Sequence, residues 1–110
     1  MVFPKRERLS KNEVAEILKS GKSKRGPLFV LRYKRGKNEV GRRAFVVGKK
    51  VSKKAVERNR IRRRLAEAVK KNISQKLSVF DLVFVVLPEI AQSGARVIEQ
   101  ETKGFIKRNF

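Results

Sequence analysis

Between residues 9 and 21 the apolar positions fall at Leu9, Val14, Ile17 and Leu18, a spacing that collects one stripe on a helix. Ser10-Lys11-Asn12-Glu13 is a capping box: the serine hydroxyl can accept from the amide of Glu13, and the glutamate can reach back to the amide of Ser10. Leu9 and Val14 can close over that cap as a hydrophobic staple, and Gly21 is placed to end the helix, so a short amphipathic helix is expected over about 11–20. Gly26-Pro27 then marks a turn, and residues 28–33, rich in apolar, β-branched and aromatic side chains, read as a strand. Arg35-Gly36-Lys37-Asn38 offers a turn into a second extended stretch at 42–48, which predicts an antiparallel hairpin.

From about 53 to 71 there is neither glycine nor proline, and Ile61, Leu65, Ala68 and Val69 share one helical face. Residues 79–87 read as a strand buried on both faces and stopped by Pro88. Ser93 is positioned to cap a last helix on which Ile98, Thr102, Phe105 and Ile106 share a side. The expected order is α-β-β-α-β-α. A strand, a long helix and a further strand make a βαβ unit, so the sheet is expected to be mixed and the class α+β, an α/β sandwich in one domain over 1–110.

Charge narrows the function. The 110 residues carry 30 Lys and Arg against 10 Asp and Glu, a formal net charge of +20, yet 40% are hydrophobic, enough for a folded basic domain. Such a domain repels itself unless a polyanion is near, and release of counterions from a phosphate backbone is the usual source of its affinity. Nucleic acid is therefore the leading partner. A membrane is disfavoured, because no apolar run approaches the roughly 18 residues of a spanning helix, and the start of the chain lacks a signal-peptide core. A cytoplasmic protein is expected.

The chain has no cysteine and no histidine, which removes disulfides, zinc-finger spacings, cysteine nucleophiles and imidazole bases together. Its carboxylates, Asp81 and scattered glutamates, lie mostly beside basic residues and show no pair placed for acid–base work.

The densest positive charge runs from Gly48 to Leu65. Four lysines, Lys49, Lys50, Lys53 and Lys54, precede the long helix, with Ser52 as a candidate cap, and amides at a helix N-terminus attract phosphate. Arg58, Arg60, Arg62, Arg63 and Arg64 follow within seven positions. Like charges three and four apart destabilise an isolated helix, so this cluster asks for a compensating partner. With Ile61 inward, Arg60 and Arg63 project outward and Arg58 and Arg62 lie nearer the buried stripe.

The run Lys54-Ala55-Val56-Glu57-Arg58-Asn59-Arg60-Ile61-Arg62-Arg63 resembles the Arg-Asn-Arg signature of the bacterial ribonuclease P protein subunit. The likeness extends through Gly48-Lys49-Lys50-Val51, the size, the element order, and Lys19-Ser20-Gly21-Lys22-Ser23 after the first helix, nearly the whole chain. It implies a fold similar to the second domain of ribosomal protein S5, with a left-handed βαβ crossover against the usual right-handed rule. It implies an Arg-Asn-Arg helix facing a catalytic RNA, and a cleft between sheet and first helix for the single-stranded 5′ leader of precursor tRNA. The RNA would perform a Mg²⁺-dependent endonucleolytic cleavage, and the protein would position substrate with no catalytic residue and no metal-binding side-chain cluster of its own, and without requiring a protein partner.

Carried over by position, Lys50, Ser52, Lys53, Arg58, Asn59, Arg60, Arg62 and Arg63 become candidates for RNA contact, and Val14, Leu18, Phe29, Leu31, Phe45 and Val47 for the leader cleft. One departure stands out. Family members commonly place phenylalanines on the first helix where this chain has Val14 and Leu18, so base stacking would fall to Phe29, Tyr33 and Phe45. A ribosomal or translation-associated RNA-binding protein fits the same size and charge, and lacks only a reason for the Arg-Asn-Arg helix.

Overall fold

The computed structural model describes residues 7–36, 41–73 and 77–110. The start of the chain and part of the turn expected at Arg35-Gly36-Lys37-Asn38 lie outside them. The elements are α1 (Lys11–Ser20), β1 (Lys22–Arg25), β2 (Phe29–Arg35), β3 (Arg43–Val46), α2 (Ala55–Asn72), β4 (Phe80–Val86) and α3 (Ala95–Asn109), with short 3-10 turns at Leu77–Val79 and Pro88–Gln92. Three helices pack on a four-stranded mixed sheet of order β1-β2-β4-β3, an α+β fold.

The expected hairpin is not formed. β2 and β3 are separated by β4, which pairs antiparallel with β2 and parallel with β3, so β3-α2-β4 is the anticipated βαβ unit. Neighbouring strands in sequence usually pair. Here the strand with the most continuous apolar run takes the centre, since only β4 fills both faces: Leu82, Phe84 and Val86 point one way, Val83 the other, and all four are buried. β1 was not anticipated. Lys-Ser-Lys-Arg has no apolar residue, and it is held as an edge strand by its backbone ladder with β2, its lysines discouraging further pairing.

The sheet divides the molecule into layers. On one face Phe29, Leu31, Tyr33, Leu82, Phe84 and Val86 meet the stripes of α2 (Ile61, Leu65, Ala68, Val69) and α3 (Ile98, Phe105, Ile106) in the main core. Phe29 meets Phe84 and Phe105 edge-on at 5.2 and 4.9 Å, arrangements favoured by the ring quadrupole. Thr102 joins the α3 stripe because its hydroxyl donates to Ile98 O at 2.7 Å. Ser93 does not cap α3. Gly94 holds that position, and the Ser93 hydroxyl instead donates back to Glu89 O at 3.5 Å, closing the preceding 3-10 turn.

The opposite face carries α1 alone. Ile17 and Val83 are buried there, apart from the main core. Arg32 donates to Leu18 O at 2.9 Å, Lys34 pairs with Glu16 at 3.1 Å, and Arg42 pairs with Glu13. Arg42 also reaches Asp81, whose carboxylate accepts the Arg42 amide at 3.0 Å. The capping box forms as expected, Ser10 N–H to Glu13 Oε1 at 2.9 Å and Glu13 N–H to Ser10 Oγ at 3.3 Å. Gly21 ends the helix with its N–H on Ile17 O; a side chain there would strike Ile17 O and Tyr33 O at 2.6 and 2.9 Å.

Glu13 thus serves cap and bridge at once. The hydrogen bonds from Ser10, then Arg42, hold its carboxyl below the ordinary value of 4.5. A depressed carboxyl stabilises the fold above that ordinary value and loses the contribution as pH falls through the folded one. Glu13→Gln is expected to cost about 1 kcal/mol at pH 7 and to flatten the fall in stability below about pH 4.5. Urea unfolding of both forms from pH 7 to pH 3 checks this; parallel curves across that range would contradict it.

Candidate RNA interface

The segment between β3 and α2 is anchored by apolar side chains and displays its charge. Val47 and Val51 are buried, the Val51 N–H bonds Gly48 O at 3.1 Å, and Lys49, Lys50, Lys53 and Lys54 are exposed. Arg58 folds back on the loop, donating from Nη1 to Ser52 O at 3.0 Å and Lys53 O at 2.9 Å. Ser52 is not the cap of α2. Lys54 is, without a side-chain acceptor, and the half-buried Ser52 accepts the Lys54 N–H at 3.3 Å one residue outside the helix. No side chain therefore closes the positive end of α2, which lies among the loop lysines and favours an anion.

The arginines of α2 divide as the helical geometry anticipates. Arg62 is directed inward, its Nε donating to Phe45 O at 3.4 Å and its Nη1 to Asn59 Oδ1 at 2.6 Å. Arg60 and Arg63 are exposed; Arg60 makes a loose 3.8 Å pair with Glu57, and Arg63 makes no ion pair among the described residues. Lys50, Lys53, Asn59, Arg60 and Arg63 thus share the outer surface, while Arg58 and Arg62 brace the frame that presents them.

The aromatic part of the expected leader cleft is corrected by the sheet's alternation. Phe29 and Leu31 are 1% and 0% exposed on the α2/α3 face, and Tyr33 and Val47 are buried in the same core. Phe45 is half-buried on that face too, its ring stacked on Phe84 at 5.2 Å. A shift of one residue moves a strand's side chains to the opposite face, and the face that α1 shares is the other one. There the register sets Val30, Val85 and Val46 side by side, all half-buried, next to Arg25 at the sheet edge. Val14 is half-buried and Leu18 39% exposed on α1 over this same face. The charges at Arg32 and Lys34 within β2 mark the wetter side, a signal present in the sequence.

A second concavity was not anticipated. A cleft of about 650 Å³ opens between α2, β3 and the segment before α1, bordered by Arg8, Phe45, Val56, Asn59, Arg62 and Arg63. Leu9 bonds the edge of β3 beside it, its N–H on Arg43 O at 3.0 Å. Arg43 is 5% exposed; burial lowers its guanidinium pKa, opposed by the Glu7 carboxylate at 3.2 Å. Among the described residues no three of His, Cys, Asp or Glu converge as a metal site. No described helix is long and apolar enough to cross a membrane.

A mixed sheet with one helix on one face, two on the other and a cationic loop-and-helix surface defines an α+β protein of strongly basic character. The family model described as Ribonuclease P matches residues 3–109. The ribonuclease P protein component of Clostridioides difficile is 31% identical over 110 residues, covering 98% of this chain and 96% of that one. That of Clostridium botulinum is 36% identical over 108 residues, covering 92% and 86%. The chain belongs to the ribonuclease P protein family. Among solved structures, a Staphylococcus aureus RNase P protein mutant with defective mRNA degradation activity superposes with a TM-score of 0.83 at 25% identity, covering 94% of this chain and 88% of that one. The RNase P protein of Thermotoga maritima shares the fold at a TM-score of 0.80 and 24% identity, covering 94% and 98%.

The division of the arginines has a measurable consequence. Arg58→Ala removes a charged donor from two loop carbonyls and is expected to cost about 1–2 kcal/mol of folding stability. Arg60→Ala breaks only an exposed pair and should stay within about 0.5 kcal/mol of the parent. Urea unfolding of the two variants measures both; equal effects would refute the division.

Proposed function

We propose that this chain works in the cytoplasm as the protein subunit of a bacterial ribonuclease P, binding the catalytic RNA and precursor tRNA to promote removal of the 5′ leader. The observation that carries the reading is the outward array of Lys50, Lys53, Asn59, Arg60 and Arg63, held in place by Arg58 and Arg62. Lysines supply charge to phosphates, and the planar forks of the arginines hold phosphates bidentately or stack on bases. In this reading the hydrolysis belongs to the RNA and to Mg²⁺ held by the RNA–substrate complex. The chain's own work is to neutralise phosphate and fix the substrate's position, which converts binding into productive geometry.

The leader's place in this reading is the α1 face, across Val30, Val85 and Val46, beneath Val14 and Leu18 and flanked by Arg25 and Arg32. This floor is aliphatic, so it receives bases by apolar contact and their phosphates by the flanking guanidiniums. Leu18→Phe adds a ring able to stack a base and is expected to tighten binding of a leader-bearing precursor several-fold. A mature tRNA should bind both forms equally. Fluorescence anisotropy with the two tRNAs decides it, and equal gains for both would place the leader elsewhere.

The main test is the salt dependence of binding to a bacterial ribonuclease P RNA. Arg60→Ala and Arg63→Ala should each weaken binding and lower the slope of log K against log salt by about one per lost phosphate contact, with unfolding curves unchanged. Parent-like affinity and slope in both variants would remove this helix from the RNA interface.

A further inference from the structure

On the side of β2 that α1 covers, Val30, Arg32 and Lys34 stand in line, each about 7 Å from the next along the strand. Both cations are held by the last turn of α1. Arg32 Nη2 donates to the Leu18 carbonyl at 2.9 Å, and Lys34 Nζ donates to Glu16 Oε1 at 3.1 Å. A carbonyl oxygen and a carboxylate oxygen set over successive cations of one strand take the places that phosphate oxygens of an extended RNA strand would take. In this turn the helix imitates a polyanion.

The imitation is weakly fastened. The Lys34–Glu16 pair has side chains 48% and 60% exposed, so it contributes little to stability and exchanges readily with solvent ions. α1 buries Ile17 alone, whereas α2 buries Ile61, Leu65, Ala66, Ala68 and Val69. The first turn of α1 is held differently, by its capping box and by Glu13 on the half-buried Arg42. Asp81, which lies opposite Lys34 in the register, is committed to the amide and guanidinium of Arg42. The exchangeable contacts are therefore those of Glu16 and Leu18, at the end of α1 that reaches Arg32, two residues from Val30.

We propose that the last turn of α1 is an internal competitor for RNA: Glu16 and the Leu18 carbonyl hold Lys34 and Arg32 in the free protein, and phosphates of an incoming single strand displace them. Lys34 then becomes a phosphate contact of the bound state, and the track for the strand extends along β2 from Val30 to Lys34. That the strand is a leader rests on the function proposed above; the competition needs only single-stranded RNA on this face. A lone anion regains one contact for the one it displaces, whereas a strand engages several cations together, so the device favours a polyanion over free phosphate.

A charge cycle on the full-length chain tests this. Glu16→Gln, Lys34→Ala, the double variant and Glu99→Gln are each titrated with a ten-nucleotide oligoadenylate at several salt concentrations, followed by anisotropy, with urea unfolding as the check on the fold. Glu99 is an exposed glutamate of α3, paired with Lys71 at 3.8 Å, so its variant removes the same charge from the other face of the sheet. Glu16→Gln is expected to bind about threefold more tightly than the parent, with log K against log salt steeper by up to about 0.7, the increment of one phosphate contact on a single strand. Glu99→Gln should gain clearly less, and in the Lys34→Ala background Glu16→Gln should gain no more than Glu99→Gln does. Equal gains from Glu16→Gln and Glu99→Gln, or a Glu16→Gln gain that survives Lys34→Ala, overturn the proposal, because either reports general charge and not the release of Lys34. Weaker binding by Glu16→Gln overturns it too, since the glutamate would then serve only to fix α1. A chain that shows the expected cycle yet fails to speed precursor tRNA cleavage would lose the proposed function and keep the competitor; faster cleavage without the cycle would do the reverse.

Discussion

The insertion of β4 between β2 and β3 is the constraint on which the remaining architecture depends. A strand whose side chains are apolar on both faces must be flanked on both edges and covered above and below, and β4 is the strand that satisfies this. With β4 central, β3 becomes an edge strand, its start bridged by Arg8 and Leu9 and its Phe45 carbonyl bonded by Arg62. The connection leaving β3 then emerges beside the α2 N-terminus, where Val47 and Val51 pin it and its lysines face outward. The cationic surface and the cleft next to it are thus products of strand order as much as of residue type.

Electrostatics shape what is left over. Several of the few carboxylates are engaged within the fold: Glu7 with Arg43, Glu13 and Asp81 with Arg42, and Glu16 with Lys34. These pairs hold α1 and the chain before it against the sheet, and they do little to reduce a formal charge of +20. Part of the excess sits on the loop and the outer side of α2, where a polyanion would relieve the self-repulsion that the folded state carries. The chain has no histidine or cysteine, and among its described residues no three of His, Cys, Asp or Glu converge.

The helices were legible because their signals are local. The capping box at Ser10 and Glu13, the stripes on α2 and α3 and the absence of breakers after Lys53 depend only on neighbours in sequence. Strand pairing depends on residues far apart, and adjacency suggested a hairpin where the burial demand of β4 prevailed. β1 carries no apolar pattern at all. The serine caps at Ser52 and Ser93 failed because each hydroxyl found a nearer backbone group outside its helix. Helical geometry put Arg60 and Arg63 on the exposed side of α2, as found. Of the residues expected to line a cleft beneath α1, Val14 and Leu18 are on that helix, whereas Phe29, Leu31, Phe45 and Val47 turn to the main core, and Arg32 and Lys34 already marked the charged side of β2. Arg8 and Val56 gave no signal, since one precedes the first helix and the other looks like an ordinary helical apolar residue.

In its proposed function this protein raises the efficiency of an RNA catalyst by holding the substrate's leader and neutralising phosphate. Its most direct test is multiple-turnover cleavage of precursor tRNA by a bacterial ribonuclease P RNA at low Mg²⁺ and fixed salt, with and without the protein, on long-leader and short-leader substrates. The account predicts faster correct 5′ processing with the protein and a smaller gain on the short-leader substrate. Tight binding to the RNA with no gain in cleavage on either substrate would contradict it.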